Sequence, residues 1–274
     1  MEDLTGKVAL ITGAGRGIGR LAAVRLAGRG ARVALVARSA GQIAGTAGYI
    51  EARGGTAIAI RADVGSPQSV TAMKAEVEDR LGHPSILINA AGIFGPIQVA
   101  WKTDPAAWIN TVMVNAIGPY LTCHAFIENM MQKGWGRIVN VTSAATLHEP
   151  GPINSAYGVS KAALNQFTRH LAAEIAGSGV TANVIHPGDV KTEMWMNIRD
   201  GVEDLGPIAQ RYRDWVDWIE SNGGDDPEKA SDLIEALMSE RAAAISGRFL
   251  WIKDGLQSPI PSWGEFRPTE AWDR

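Results

Sequence analysis

Two rhythms of apolar and polar positions run along this chain. Short runs rich in Val, Ile, Leu and Ala occur at Lys7–Thr12, Ala31–Arg38, Thr56–Arg61, Ile86–Ala90, Arg137–Thr142, Thr181–His186 and Arg248–Ile252. They lack the polar alternation of a half-exposed strand, so they read as strands buried on both faces, as in a parallel sheet. Stretches of helical periodicity lie between them. These run from the glycine-rich sequence after Thr12 through Arg29, over Gln42–Arg53 and Gln68–Leu81, from Asp104-Pro105 to about Lys133 in one or two pieces, over Tyr157–Ala176, and from Asp226-Pro227 to about Ser239. The punctuation agrees with the rhythm. Gly54-Gly55 stops a helix, and Ser66-Pro67 supplies an N-cap followed by a proline suited to the first helical position.

Repeated βα units predict an α/β fold, a doubly wound Rossmann-type three-layer sandwich around a mainly seven-stranded parallel sheet. A length of 274 residues suits one domain spanning 1–274. The net charge of −3 and the absence of a long basic run argue against a nucleic-acid surface. No apolar run approaches the roughly 20 residues that cross a bilayer, so no membrane partner is expected. The charged start, Met1 to Lys7, is unlike a signal peptide. The single cysteine, Cys123, makes neither a disulfide framework nor a thiolate metal cluster, and no other metal-ligand spacing stands out. A reducing cytoplasm fits these features.

Candidate chemistry begins after the first strand. Gly13, Arg16, Gly17, Ile18 and Gly19 lie in the turn into the first helix. Glycines there let backbone N–H groups approach a pyrophosphate, and the helix N-terminus favours its charge. The spacing is Gly13-x-x-x-Gly17-x-Gly19, not the G-x-G-x-x-G fingerprint. At the end of the second strand a carboxylate would bind the ribose of NAD, whereas an arginine accommodates the 2′-phosphate of NADP. Arg38 stands there with no carboxylate beside it, and Arg16 offers a second cation. NADP(H) is therefore expected over NAD(H), unless Arg38 is merely a solvated surface residue. Asp63-Val64 suits either an adenine contact or a helix cap. Asn89-Ala90-Ala91-Gly92 lets the chain pass close to a nucleotide, or is simply a turn. Tyr157 and Lys161 share one helix face, which suggests a phenol whose proton affinity an ammonium lowers.

Taken in order, these residues resemble the short-chain dehydrogenase/reductase family. The marks are Thr12-Gly13-x-x-x-Gly17-x-Gly19, Asp63-Val64, Asn89-x-Ala91-Gly92, Asn115, Ser143, Tyr157-x-x-x-Lys161 and Pro187-Gly188, covering about residues 5 to 255. One departs slightly, with Ala90 where the family usually has a second Asn. The resemblance implies a catalytic set of Asn115, Ser143, Tyr157 and Lys161. Tyr157 would be the general acid in carbonyl reduction and the general base in alcohol oxidation, its pKa drawn down by Lys161 and the nicotinamide cation. Lys161 would also hold the nicotinamide ribose, Ser143 the substrate oxygen, and Asn115 a water relaying protons from Lys161. Pro187, Gly188, Val190 and Thr192 would wall the nicotinamide.

A mobile substrate lid is implied at about 189–225. Its Pro207–Ser221 stretch reads as a helix with Tyr212, Trp215, Trp218 and Ile219 at helical spacing. Phe94, Leu147, Met194 and Trp195, with Ile93, are apolar substrate-site candidates, pointing to a ketone or secondary alcohol with an apolar or aromatic body. His148 and Glu149 either touch substrate or belong to an exposed loop, and His186 reads as structural. The helices around Asn115 and Tyr157 commonly pair between subunits in the family, so a homodimer or homotetramer is expected. A C-terminal extension at about 256–274 carries Pro259, Pro261, Trp263, Phe266 and Trp272, suited to a subunit contact or the pocket mouth. The rival readings are an NAD(H)-dependent alcohol dehydrogenase, a cofactor-binding regulator that kept the fold without the chemistry, and a sugar epimerase or dehydratase.

Overall fold

The computed structural model describes residues 2–253, so the C-terminal extension lies outside the described residues. Seven strands, β1 (Val8–Thr12), β2 (Arg32–Ala37), β3 (Thr56–Arg61), β4 (Ile86–Asn89), β5 (Gly136–Val141), β6 (Val180–His186) and β7 (Phe249–Trp251), form one sheet in the order β3-β2-β1-β4-β5-β6-β7. Every pairing is parallel. Thr12 stands level with Val36 on one side and Asn89 on the other. The chain winds outward in opposite directions from β1 and β4, and the carboxyl ends of these strands flank the crevice that such a reversal leaves.

Single strands serve two cores at once. In β1, Ala9 and Ile11 pack with Leu26 of α1 (Gly17–Gly28), Ile43 of α2 (Ala40–Glu51) and Leu237 of α9 (Glu228–Leu237). Val8 and Leu10 face the opposite layer, with Val77 of α3 (Pro67–Leu81), Phe126 of α5 (Gly118–Gln132) and Leu171 of α6 (Ser155–Glu174). Alternate side chains leave a strand on opposite faces, which is why these runs carry no polar alternation.

The capping chemistry stands where the sequence placed it. The Ser66 hydroxyl accepts from Ser69 N at 3.3 Å, and the Asp104 carboxylate accepts from Ala106 N and Ala107 N at the start of α4 (Pro105–Val112). The long helical region is α4 and α5 joined by a π turn, Met113–Ile117, that contains Asn115. Single π turns inside helices are frequent at functional sites.

The lid region carries its own small core. It holds α7 (Glu193–Val202) and α8 (Gln210–Asn222). Trp195, Ile198, Val202, Val216 and Ile219 pack together there with Val99 and Ile153. Helix α7 is not among the sequence-predicted helices, because two turns of apolar spacing, Trp195, Ile198 and Val202, with Gly201 among them give too little periodicity. The stripe on α8 also needs correction. Tyr212, Trp215, Val216 and Ile219 face inward, while Trp218 is 49 % exposed. At about 100° per residue, Trp218 falls well off the face that Tyr212 and Ile219 share.

Candidate active site

The carboxyl ends of the strands open onto two adjoining cavities. The larger, of about 1080 Å³, is lined by Ser143, Tyr157 and Lys161, by the 187–195 segment, and by Phe94, Tyr212, Trp215 and Trp251. The smaller, of about 320 Å³, is bounded by Gly13, Arg16, Arg38, Asp63, Val64, Ala91 and Gly92. Arg16 and Gly92 border both.

Backbone packing shapes the smaller cavity. A Cβ on Gly13 would stand 2.8 Å from Ala90 O, and one on Gly19 would stand 2.4 Å from Gly13 O. Only glycine lets β1, the first turn of α1 and the residues after β4 close up this far. The result is a narrow cradle at a helix N-terminus, which fits the pyrophosphate of a dinucleotide. Arg38 is exposed at the rim, its carbonyl accepting from Arg61 Nε at 3.2 Å. Arg16 forms an ion pair with Glu193 in the first turn of α7, which ties the glycine turn to the lid. Of the two readings of Asp63, the helix cap is the one the structure corrects. Its Oδ1 accepts from Gly65 N at 2.9 Å, which folds a local turn, while Ser66 caps α3. The residue still borders the cavity.

Asn89 departs from the cofactor role. Its side chain is buried and lines neither cavity. It donates to Asn140 Oδ1 and accepts from Thr122 Oγ1, both at 2.8 Å, and Asn140 donates on to Thr168. A buried amide needs such partners, and here they stitch β4, β5, α5 and α6 together.

The polar groups on the floor of the larger cavity and just beneath it are braced by the fold. Ser143 follows β5, and a 3₁₀ turn, Ala144–Thr146, begins after it. Asn165, one turn beyond Lys161 on α6, grips both sides of Ser143. Its Oδ1 accepts from Thr142 Oγ1 at 2.5 Å, and its Nδ2 donates to Thr146 Oγ1 at 2.8 Å. Thr146 Oγ1 in turn donates to Ser143 O at 2.8 Å. His186 Nδ1 accepts from Ala144 N at 3.2 Å. Burial holds the His186 pKa down at about 4, so the ring is neutral and serves as an acceptor. Asn115 gives both amide hydrogens away, to Ile93 O at 2.8 Å and Ser160 Oγ at 3.0 Å, and accepts from Ile93 N at 2.9 Å. Ser160 donates to Tyr157 O at 2.8 Å. Asn115 therefore braces the turn that carries Tyr157.

Tyr157 and Lys161 are both buried. Lys161 Nζ donates to Val141 O at 2.7 Å and lies 5.8 Å from the centre of the Tyr157 ring. Burial drops the Lys161 pKa to about 8. The Tyr157 pKa is raised, because burial penalises the phenolate more than the hydrogen bond with Ser143 favours it. This is opposite to the depression expected from sequence. Lys161 does not offset this desolvation in the cofactor-free protein.

The remaining lining residues divide. Pro187, Gly188, Val190, Thr192, Met194 and Trp195 border the larger cavity, as do Phe94, Gly17 and Ile18. Thr192 Oγ1 caps α7 by accepting from Trp195 N at 3.4 Å. His148 and Glu149 are exposed, yet both reach the cavity edge. Leu147 is a correction. The 3₁₀ turn carries it away from the cavity and onto Val184 and Phe249. Ile93 borders the smaller cavity, not the larger. Sequence reasoning missed Asn165, Asp189 and Trp251. Asn165 carried a signal, since it lies four residues after Lys161 on the same helix face.

Comparisons with known proteins follow the same outline. A family profile described as short chain dehydrogenase matches residues 7–203. The chain is 35% identical over 255 residues to a galactitol 2-dehydrogenase (L-tagatose-forming) of Cereibacter sphaeroides, covering 92% of this chain and 95% of that one. It is 32% identical over 256 residues to a 3-oxoacyl-(acyl-carrier-protein) reductase of Vibrio cholerae, covering 93% and 98%. Among solved structures, an actinorhodin polyketide ketoreductase variant with NADPH superposes with a TM-score of 0.82 at 28% identity, covering 89% of this chain and 95% of that one.

Proposed function

Because this chain belongs to the short-chain dehydrogenase/reductase family of oxidoreductases, we propose that it is an NADP(H)-dependent carbonyl reductase with Tyr157 as proton donor. The observation that carries this reading is the buried Tyr157 phenol beside Ser143, with Lys161 behind it and a large cavity in front. NADPH, when bound, supplies the hydride. The chain supplies position and a proton.

Asn165 and Thr146 fix the backbone around Ser143, whose Oγ accepts from Ala145 N at 3.2 Å, so its hydroxyl is placed to donate to a carbonyl oxygen. Fixed donors of this kind stabilise charge that develops there without reorganising. Tyr157 Oη then gives up its proton to the same oxygen. Its raised pKa keeps the donor loaded through the neutral range, which favours reduction over oxidation. Lys161 lies behind the ring, where its charge stabilises the phenolate as the proton leaves. Gly13, Gly17 and Gly19 form the pyrophosphate cradle, and Ala91, Gly92, Pro187, Gly188, Val190 and Thr192 bound the path from it to the reaction point. The actinorhodin ketoreductase in the matched structure is one with NADPH. In this chain Arg38 and Arg16 at the adenosine end, with no carboxylate after β2, support the same preference.

The substrate we infer is a ketone with an apolar or aromatic body, because Phe94, Met194, Trp195, Tyr212 and Trp215 border the cavity. Ile109, Tyr120 and Val159 are exposed on α4, α5 and α6, which supports pairing with a second copy through these helices. The reducing cytoplasm suits a chain whose single cysteine, Cys123, is buried and free. No helix among the described residues is long and apolar enough to cross a membrane.

A screen of aryl ketones, following NADPH absorbance and repeated with NADH, tests the reading. We expect NADPH-dependent turnover of at least one ketone. Tight NADPH binding with no turnover of any ketone or alcohol would instead favour a cofactor-binding regulator.

A further inference from the structure

A carboxylate interrupts the apolar wall of the larger cavity. Asp189 follows Pro187-Gly188 and borders the cavity among Met194, Trp195, Tyr212, Trp215 and Trp251. We propose that Asp189 is a recognition residue for a second polar group of the substrate, a hydrogen-bond donor in the form of a hydroxyl or an ammonium. The inference rests on the cavity being the carbonyl-reducing site proposed above.

Three observations carry it. First, the residue is held rigidly. Asp189 N donates to Asp225 Oδ2 and Asp225 N donates to Asp189 O, both at 2.9 Å. A Cβ on Gly224 would stand 2.6 Å from Asp189 O, so the chain leaves no room for this segment to drift. Second, the charge is only partly met. Its Oδ1 accepts one long hydrogen bond, 3.3 Å, from Trp215 Nε1 on α8. Among the described residues no cation pairs with it; Lys253 pairs with Asp225 instead, at 3.9 Å. Third, desolvation raises the Asp189 pKa despite the Trp215 bond, with Asp225 adding to the rise and Lys253 and His148 opposing it at longer range. A carboxylate in an apolar wall is costly until a donor reaches it, and a donor on a bound substrate would meet it.

The same geometry links recognition to the lid. Trp215 belongs to α8, so a donor that orders the Asp189 carboxylate also steadies the Trp215 contact. An apolar aryl ketone fits the aromatic walls but leaves Asp189 unanswered. A ketone that adds a hydroxyl or an ammonium meets both. A site built around a fixed polar partner discriminates strongly against an analogue lacking it.

The test uses three aryl ketones that differ only in one ring substituent, methyl, hydroxymethyl or aminomethyl, each tried at the meta and para positions. For the native enzyme we expect kcat/KM of one donor-bearing ketone to exceed that of its methyl counterpart by about tenfold or more, as suits a hydrogen bond to a charged group. A preference for aminomethyl identifies an ammonium, and a preference for hydroxymethyl identifies a hydroxyl. In Asp189→Leu the ratio should collapse towards one. In Asp189→Asn an ammonium preference should vanish, while a hydroxyl preference should survive in part. NADPH affinity of each variant reports whether it has folded, and the native-enzyme ratios stand even if a variant does not. Equal or lower kcat/KM for the donor-bearing ketones, or a preference that persists in Asp189→Leu, would overturn the inference while leaving carbonyl reduction intact. Absence of turnover with every ketone would remove the reductase reading itself, and this inference with it.

Discussion

On the floor of the larger cavity, β5 and α6 present Ser143, Tyr157 and Lys161, with Asn115 of the π turn buried behind them, lining neither cavity, and almost every polar atom has a partner within the fold. The roof, α7 and α8, is held by Trp195, Ile198, Val216 and Ile219 in a cluster of its own, and it leaves Met196, Ile208 and Trp218 exposed. The floor is fixed by hydrogen bonds whose geometry is directional. The roof rests on its apolar cluster, which tolerates changes of shape, with a few directional bonds at its edges, such as Arg213 to Val202 O and Gly206 O. Ile153 marks the boundary, with a φ of 66° that is strained for a β-branched residue. Its carbonyl accepts from Gln98 N at 3.0 Å, and its side chain is buried in the roof's cluster.

The contrast can be broken most severely at Lys161. Lys161→Met should lower kcat by about 10³-fold, the scale of proton-transfer catalysis. The same substitution should stabilise the cofactor-free protein at neutral pH. The sign follows from burial. The Lys161 pKa falls from 10.5 to about 8, so the native state holds fewer protons than the unfolded chain between those values. Stability contributed by Lys161 is therefore fully present above 10.5 and lost as pH falls through about 8. Removing the charge should gain on the order of 2 kcal/mol at pH 7, after the lost bond to Val141 O is counted. The gain should shrink as pH approaches 10.5, and urea unfolding of both proteins across this range would show it.

A smaller effect separates position from chemistry. Asn165→Ala frees both sides of Ser143 without touching Tyr157. We expect kcat to fall by roughly 10–100-fold, as a displaced reacting group would produce, with NADPH affinity changed less than about threefold. Equal losses in kcat and in NADPH affinity would mean that Asn165 serves the fold as a whole. Arg38→Asp probes the adenosine end. NADPH affinity should drop by about tenfold or more while NADH affinity rises, as titration of each cofactor would reveal. The roof should yield the mildest catalytic change. Ile219→Ala should cost about 2–4 kcal/mol of stability, measured by urea unfolding. Its neighbour Trp218→Ser, outside the cluster, should stay within about 0.5 kcal/mol of the native protein.

The floor was legible in the sequence for a physical reason. Nucleotide approach demands glycines at fixed spacing, and Tyr157 with Lys161 demands one helix face, so both constraints leave marks a few residues apart. The parallel sheet was equally legible, because strands buried on both faces must be apolar throughout. Asn165 was harder, since its partners Thr142 and Thr146 meet it only after folding. Leu147 misled because a 3₁₀ turn rotates a side chain by an amount that spacing does not reveal. Asn89 misled because an amide beside a nucleotide turn and an amide buried under it look alike in one dimension. On the roof, α7 is short and Trp218 is a large apolar side chain on the exposed side of α8, so periodicity there was a weak guide.

The account stands on Tyr157 as the group that loses a proton to the substrate oxygen. Tyr157→Phe keeps the ring and its contact with Phe94, whose centroid lies 4.8 Å away, and removes only the hydroxyl. Single-turnover reduction of the best ketone by bound NADPH should fall by at least about 10³-fold, with NADPH affinity within about threefold of the native value. Reduction at a comparable rate in Tyr157→Phe would contradict the account and place the proton donor elsewhere.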